Sequence, residues 1–169
     1  MSDPAIRPAI RPGIRDARLP QDRAAIEAMF DGLQLVELDW DANRMPPGKC
    51  GAHVDHLLAW AAESGFVLMI DDDEGPCAML IAGEVDEGGW VLPENRIRGD
   101  VSDLFVAPRA RRQGLAWALL QEAERRFAAR GRTRIEIRAV AQNAAARAMY
   151  RRWAGEPRVV AYERVLTAD

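Results

Sequence analysis

The sequence predicts an α/β (α+β) fold in which helices flank a mixed central sheet. Two apolar runs joined by the turn DDDEGP predict an antiparallel hairpin in the middle of the chain. A later strand–helix–strand order predicts a parallel pairing with a right-handed crossover. The repeat AIRP places prolines that disfavour a helix near the N-terminus. We therefore expect residues 1–10 to be an extended tail and residues 11–169 to form a single domain.

The first half of the chain predicts one strand, two helices and a long polar loop between the helices. The strand covers residues 11–17, the helices cover residues 22–31 and 50–63, and the loop covers residues 34–49. Asp22 belongs to the residue types that cap the start of a helix. Gly65 is a good stop for the second helix, because glycine adopts the backbone conformations common after a helix end.

The second half predicts five strands and two helices. The strands cover residues 65–70, 77–85, 100–108, 133–140 and 158–166, and the helices cover residues 114–130 and 142–153. The strand TRIEIRAV alternates cleanly, so that Ile135, Ile137 and Ala139 share one face.

Composition narrows the class of protein. The chain is 49% apolar and 29% charged, as is usual for a soluble globular domain, and its net charge of −3 disfavours a binder of nucleic-acid backbone. There is no apolar signal-peptide core or membrane span, and two cysteines do not form a disulfide framework. These features predict a cytoplasmic protein with no membrane or nucleic-acid partner.

Two local patterns allow alternative interpretations. Cys50, His53 and His56 follow metal-ligand spacing, but on a helix they do not converge, so no metal site is expected. An RNA-binding module is the other alternative, although interleaved glutamates favour an ion-paired surface. Its arginines would be Arg109, Arg111, Arg112, Arg125, Arg126, Arg130, Arg132 and Arg134.

The helix that follows the strand DVSDLFVAP begins without a capping side chain. The chain enters it through Arg111, Arg112, Gln113 and Gly114, none of which is a Ser, Thr, Asp or Asn. Free amides at the positive end of a helix dipole form an anion site, and a guanidinium can fork onto phosphate oxygens. The pattern predicts a diphosphate ligand with an extended tail; a simple turn is the alternative.

A second motif is NAAARAMY at residues 143–150. Asn143, Ala146 and Tyr150 are spaced three and four apart, so they lie along one helix face and offer an amide, a small surface and a hydroxyl. The alternative is an ordinary amphipathic helix with Met149 and Trp153 in the core.

Together the two motifs resemble the GNAT family of acetyl-CoA-dependent N-acetyltransferases. The residues that carry the resemblance are Val106, Pro108, Arg111, Gly114, Ala116, Asn143, Ala146 and Tyr150. The resemblance implies the GNAT fold, in which the strands 100–108 and 133–140 splay apart and the acyl chain enters the gap. It also implies a homodimer as one arrangement, because the family is often dimeric.

Acetyl-CoA is the cosubstrate that this resemblance implies, with no metal. The amides around the turn before the helix would hold its pyrophosphate, and the strand edge and Asn143 would contact its pantetheine arm. The implied binding residues are Leu104, Phe105, Val106, Arg111, Arg112, Gln113, Gly114, Leu115, Ala116, Trp117, Asn143, Ala146 and Tyr150.

The implied reaction is direct attack of a primary amine on the acetyl thioester in a ternary complex. Tyr150 is the candidate acid for the leaving thiolate, and a strand N–H near Phe105 or Val106 would stabilise the oxyanion. The identity of the general base is left open, because Ser102 stands where the spermidine acetyltransferases of this family carry a glutamate. Asp103, acting through water, and Glu84 are the candidates; Asp103 is equally interpretable as a hydrogen-bonding strand residue.

Acidic residues in two connections predict the chemical class of the acceptor. They are Glu37, Asp39, Asp41, Asp86 and Glu87, in connections that face the acceptor in the family. Negative charge there would attract a small cationic amine, polyamine-like or aminoglycoside-like. A peptide amine as acceptor, or a non-catalytic regulatory domain that binds coenzyme A, are the alternatives.

Overall fold

A computed structural model describes residues 13–164 of the chain. Contacts divide the described residues into two compact units, with the boundary between Arg138 and Ala139. The first unit contains β1 (Ile14–Asp16), α1 (Arg23–Glu37), α2 (Gly51–Ser64), β2 (Phe66–Asp72), β3 (Gly75–Asp86), β4 (Ile97–Val106), α3 (Leu115–Ala129) and β5 (Ile135–Ile137). The second unit contains α4 (Ala144–Ala154).

The sheet has five strands in the order β1-β2-β3-β4-β5. Pairing is antiparallel from β1 to β4 and parallel between β4 and β5, so the predicted hairpin and the predicted mixed sheet are confirmed. No helix among residues 13–164 is long and apolar enough to cross a bilayer.

Helices cover both faces of this sheet. Val67 and Met69 pack in one buried cluster with residues of α1 and α2. Phe66 points the other way, because neighbouring residues in a strand alternate, and its ring lies 5.0 Å from the Phe127 ring of α3. The chain therefore folds as α1 and α2 on one face of the sheet and α3 on the other.

A β-bulge in β4 reverses this alternation. Ile81 pairs with Asp103 and its neighbour Ala82 pairs with Val101, so that Ser102 is an extra residue with no partner on β3. Before the bulge, a side chain at Gly99 would meet Phe127 of α3; after it, a side chain at Gly32 of α1 would meet Phe105. Asp103 consequently faces α1 and α2.

Several predicted boundaries need correction. The first helix continues to Glu37, so part of the predicted polar loop is helical. Asp22 occupies the N-cap position, but its carboxylate accepts hydrogen bonds from Arg15 and from the Arg18 amide and does not cap the helix. The strand over residues 133–140 is shorter than predicted. The predicted tail and residues 11–12 of the first strand lie outside the described residues.

The predicted last strand over residues 158–166 was wrong for its described part. Residues 158–164 form no strand, and Val159, Val160 and Tyr162 are exposed. Residues 165–166 lie outside the described residues.

An ion-pair cluster on α3 gives a pH-dependent contribution to stability. Hydrogen bonds from Arg125 and Arg126 lower the pKa of Glu122 to about 2, although burial of the carboxyl opposes this shift. A carboxyl with a lowered folded-state pKa stabilises the fold above its unfolded pKa, and this stabilisation is lost as the pH falls through the folded pKa.

Glu122→Gln is therefore expected to lower the free energy of unfolding by about 1 kcal/mol at pH 7, as for other partly exposed pairs. In urea unfolding followed by circular dichroism, the wild-type and variant stabilities should converge between pH 4.5 and about 2. A difference that is independent of pH would contradict an ion-pair origin.

Candidate functional site

The turn that leads into α3 leaves its backbone amides without partners. Gly114 is the N-cap in the left-handed conformation, with φ of 80°, and no side chain caps the helix. The first helical hydrogen bond runs from the Ala118 amide to the Gly114 carbonyl. Within the described chain, the N–H groups of residues 112–116 donate to no protein acceptor. The uncapped start predicted from the sequence is therefore present.

This turn, residues 111–116, is open to solvent. Residues 111–114 are exposed, and a Cβ atom added at Gly114 would meet no heavy atom within 4 Å. Arg112 also has positive φ, 65°, so two residues of the turn are left-handed. Successive amides in such a turn and at a helix N-terminus converge on an anion.

Arg111 connects the turn to the end of β4. Its Nε atom donates to the Val106 carbonyl at 3.1 Å, so its guanidinium lies at the junction of strand and turn. The predicted phosphate contact by Arg111 stays a prediction.

β4 separates from β5 beside this turn. The parallel pairs run from Gly99 with Ile135 to Val101 with Ile137, and β5 ends there. β4 continues to Val106, and in the described part of the first unit its last residues are paired with β3 alone. The splayed parallel strands expected from the sequence are confirmed, and the edge at Leu104, Phe105 and Val106 is left open.

Asp103 is the most deeply buried of the candidate catalytic groups, with 8% of its surface exposed. The Ser102 hydroxyl donates to its Oδ2 atom at 2.7 Å. Burial raises the pKa of Asp103 above its ordinary value, and this hydrogen bond and the nearby charges of His53 and Arg44 offset only part of that shift.

In the second unit, α4 is capped by Asn143. The Asn143 Oδ1 atom accepts from the Ala146 amide at 3.0 Å, a function that the sequence interpretation missed although Asn is a preferred N-cap. Ala146, Met149, Tyr150 and Trp153 are half-buried and follow helical spacing. No side chain of α4 is fully buried, so Met149 and Trp153 are not core residues.

Comparison with known proteins decides the family. Residues 33–155, well over half of the chain, match the model of the acetyltransferase (GNAT) family. The chain belongs to the GNAT family. A search of curated proteins found no match.

Solved structures share the GNAT fold at low sequence identity. The BH1408 protein of Bacillus halodurans (tetramutant) is 19% identical with a TM-score of 0.75, over 90% of this chain and 99% of that one. A GCN5-related N-acetyltransferase from Ralstonia eutropha JMP134 is 20% identical (TM-score 0.71; 90% and 97% covered). The aminoglycoside antibiotic 6'-N-acetyltransferase AAC(6')-IG of Acinetobacter haemolyticus is 18% identical (TM-score 0.67; 92% and 99% covered).

The two candidate bases of this GNAT domain lie on opposite faces of its sheet. Glu84 pairs with Gly99 and shares the α3 face, whereas Asp103 faces α1 and α2. Arg132 donates to the Glu84 Oε1 atom at 2.9 Å. The catalytic role of either group stays a prediction. The geometry favours Asp103, because the Glu84 carboxylate is held in an ion pair on the α3 face.

The acidic residues expected to attract an acceptor are largely paired with arginines. Glu37 and Asp41 bind Arg44 at 2.9 and 3.2 Å, and Asp86 binds Arg96 at 2.6 Å. Glu87 pairs with Arg134 and Arg98. The net negative charge of these two connections is therefore weaker than the sequence alone indicates, although Asp39 is exposed.

The arginines of the alternative RNA-binding interpretation are also largely ion-paired in this GNAT domain. Six of the eight bind carboxylates: Arg109, Arg125, Arg126, Arg130, Arg132 and Arg134. Their charge is locally neutralised, which favours the ion-paired surface; the absence of a nucleic-acid partner stays a prediction.

The Cys50, His53 and His56 string does not form a cluster. Cys50 is buried, His53 is exposed with its ring 5.4 Å from Phe30, and His56 is exposed. Among residues 13–164, no group of three His, Cys, Asp or Glu side chains could hold a metal ion.

Proposed function

We propose that this GNAT protein transfers an acetyl group from acetyl-CoA to a primary amine by direct attack in a ternary complex. The observation that supports this most is the turn at residues 111–116, in which the amides of residues 112–116 have no acceptor in the described chain, next to the open edge of β4. A helix N-terminus binds anions, and an open strand edge binds extended amide chains.

These residues fit coenzyme A. The turn offers donors and open space to a diphosphate, and Arg111 adds a positive charge at the junction with β4. The edge at residues 104–106 offers backbone groups to a pantetheine arm. When bound, acetyl-CoA supplies an activated thioester; the protein binds and orients it, deprotonates the amine and stabilises the leaving group.

Asp103 is proposed as the group that removes the proton from the acceptor ammonium. Only the free amine is nucleophilic, and a carboxylate with a raised pKa is a stronger base than a surface aspartate. Tyr150, on the half-buried face of α4, is proposed as the acid for the leaving thiolate.

The acceptor is proposed to be a small cationic amine, polyamine-like or aminoglycoside-like. Burial raises the pKa of Glu37, and the charge of Arg44 opposes this shift. The negative charges of Asp103 and Asp41 raise the same pKa further, which indicates that these carboxylates lie near Glu37. A structural neighbour is an aminoglycoside 6'-N-acetyltransferase, which supports including aminoglycosides among the acceptors tested.

The test is release of free thiol from acetyl-CoA against a panel of polyamines, aminoglycosides and peptide amines, with mass spectrometry of the products. We expect thiol release with at least one small cationic amine and a product heavier by one acetyl group. Binding of acetyl-CoA without thiol release from any amine would instead support a regulatory domain. Acetylation of the peptides alone would overturn the choice of acceptor.

Tyr150→Phe is expected to lower kcat by at least about tenfold while leaving the Kd for acetyl-CoA within about threefold, because only a proton donor is removed. Tyr162→Phe is the matched control, since Tyr162 is the chain's other tyrosine and is 94% exposed. Equal kcat in wild type and Tyr150→Phe would remove the proposed acid role.

A further inference from the structure

Ser102 is a residue of β4 that has no paired residue on either neighbouring strand. The bulge leaves it without a partner on β3. The last parallel pair joins Val101 to Ile137, so Ser102 is also the first residue of β4 beyond β5. It is exposed, at the beginning of the gap between the two splayed strands.

The bulge also permits an unusual contact between neighbouring residues. In a regular strand, successive side chains point to opposite faces and do not meet. Here the Ser102 hydroxyl donates to Asp103 Oδ2 at 2.7 Å. The pair therefore joins an exposed residue, Ser102, to a residue that is 8% exposed, Asp103.

We propose that the Ser102 hydroxyl relays the proton from the acceptor ammonium to Asp103. This inference rests on the proposed acetyl transfer and specifies its proton path. An ammonium N–H bond breaks as its proton moves to Ser102 Oγ, while the Oγ–H bond breaks and its proton moves to Asp103 Oδ2. The products are a neutral amine, a neutral Asp103 carboxyl and an unchanged serine, so atoms and charge balance.

Charges on every element packed around Asp103 tune its basicity. Glu37 comes from α1, Arg44 from the α1–α2 connection, His53 from α2 and Asp100 from β4 itself. Burial and Asp100 raise the pKa of Asp103, while the Ser102 hydrogen bond, His53 and Arg44 lower it. Removing the hydroxyl must therefore raise this pKa further while interrupting the path to the acceptor.

The experiment compares Ser102→Ala with Ser102→Thr, which keeps a hydroxyl. Thr133→Ala is the matched control, because Thr133 is exposed and its hydroxyl donates to Asn95 at the same distance of 2.7 Å. We measure kcat/KM against pH with the amine that releases thiol fastest. NMR of the Asp103 carboxyl ¹³C, without any ligand, follows its titration independently of activity.

We expect Ser102→Ala to lower kcat/KM at least about tenfold and to move its acid limb to higher pH, because the base must be ionised. Ser102→Thr should recover wild-type kcat/KM within about threefold, and Thr133→Ala should match wild type. NMR should show a higher Asp103 pKa in Ser102→Ala and a restored one in Ser102→Thr.

Two outcomes overturn the relay. One is a Ser102→Ala kcat/KM within twofold of wild type, even with the NMR shift present, since the hydrogen bond would then be structural only. The other is a Ser102→Thr variant that folds but is as slow as Ser102→Ala. A wild-type protein that releases no thiol with any amine overturns the acetyl transfer itself, and that result is seen before any variant is made.

Discussion

Gly114→Glu is expected to weaken acetyl-CoA binding by at least about 100-fold, measured by isothermal titration calorimetry, while the protein stays folded. The new carboxylate would lie among the amides of residues 112–116 and repel a diphosphate there. Gly114 has φ of 80° and open space around a Cβ, so the substitution introduces backbone strain of about 1 kcal/mol but no steric clash.

Gly131→Glu separates this effect from the strain. Gly131 has φ of 75° and equally open space, and it follows the C-terminal end of α3, away from the turn. Both variants should lose similar stability in thermal unfolding, and only Gly114→Glu should lose acetyl-CoA. Unchanged affinity in Gly114→Glu, with the fold intact, would show that the turn does not hold the diphosphate.

The uncapped start of α3 could be predicted from the sequence because it depends on local residue types. A helix start that runs through arginine, glutamine and glycine has no capping side chain whatever surrounds it, and the structure shows none at Gly114. Asn143 shows the limit of that reasoning. Asparagine before an alanine run is an ordinary capping signal, and the Asn143 side chain caps α4, a role that the resemblance to a ligand-binding motif does not indicate.

The surroundings of Asp103 could not be predicted, because they depend on strand register. A single extra residue at Ser102 decides that Asp103 faces α1 and α2, and nothing in the letters VSDLF marks the bulge. The arginine partners of Asp86 and Glu87 are likewise set by tertiary structure. Residues 158–164 contain the apolar run VVAY, which is typical of a strand, but a strand forms only where a neighbouring edge pairs with it.

Asp103→Asn is expected to lower kcat/KM by about 10²–10⁴-fold, the usual range for a general base. The amide keeps nearly the same shape and still accepts from Ser102, but it binds no proton from the acceptor. Glu84→Gln tests the rival base: it breaks the ion pair with Arg132 on the opposite face, and kcat/KM should stay within about threefold of wild type. The reverse result would exchange their roles.

The same substitution should stabilise the fold at neutral pH. Burial raises the folded-state pKa of Asp103, so the folded state binds this proton more tightly than the unfolded state does. Wild-type stability therefore falls as the pH rises from the unfolded pKa through the folded one, and above it the ionised carboxylate destabilises the fold. Thermal unfolding should show a higher Tm for Asp103→Asn at pH 7 and a difference that shrinks below about pH 4. Lower activity together with higher stability is the result expected of a buried carboxylate kept for catalysis; loss of both would mark Asp103 as a structural hydrogen-bonding residue.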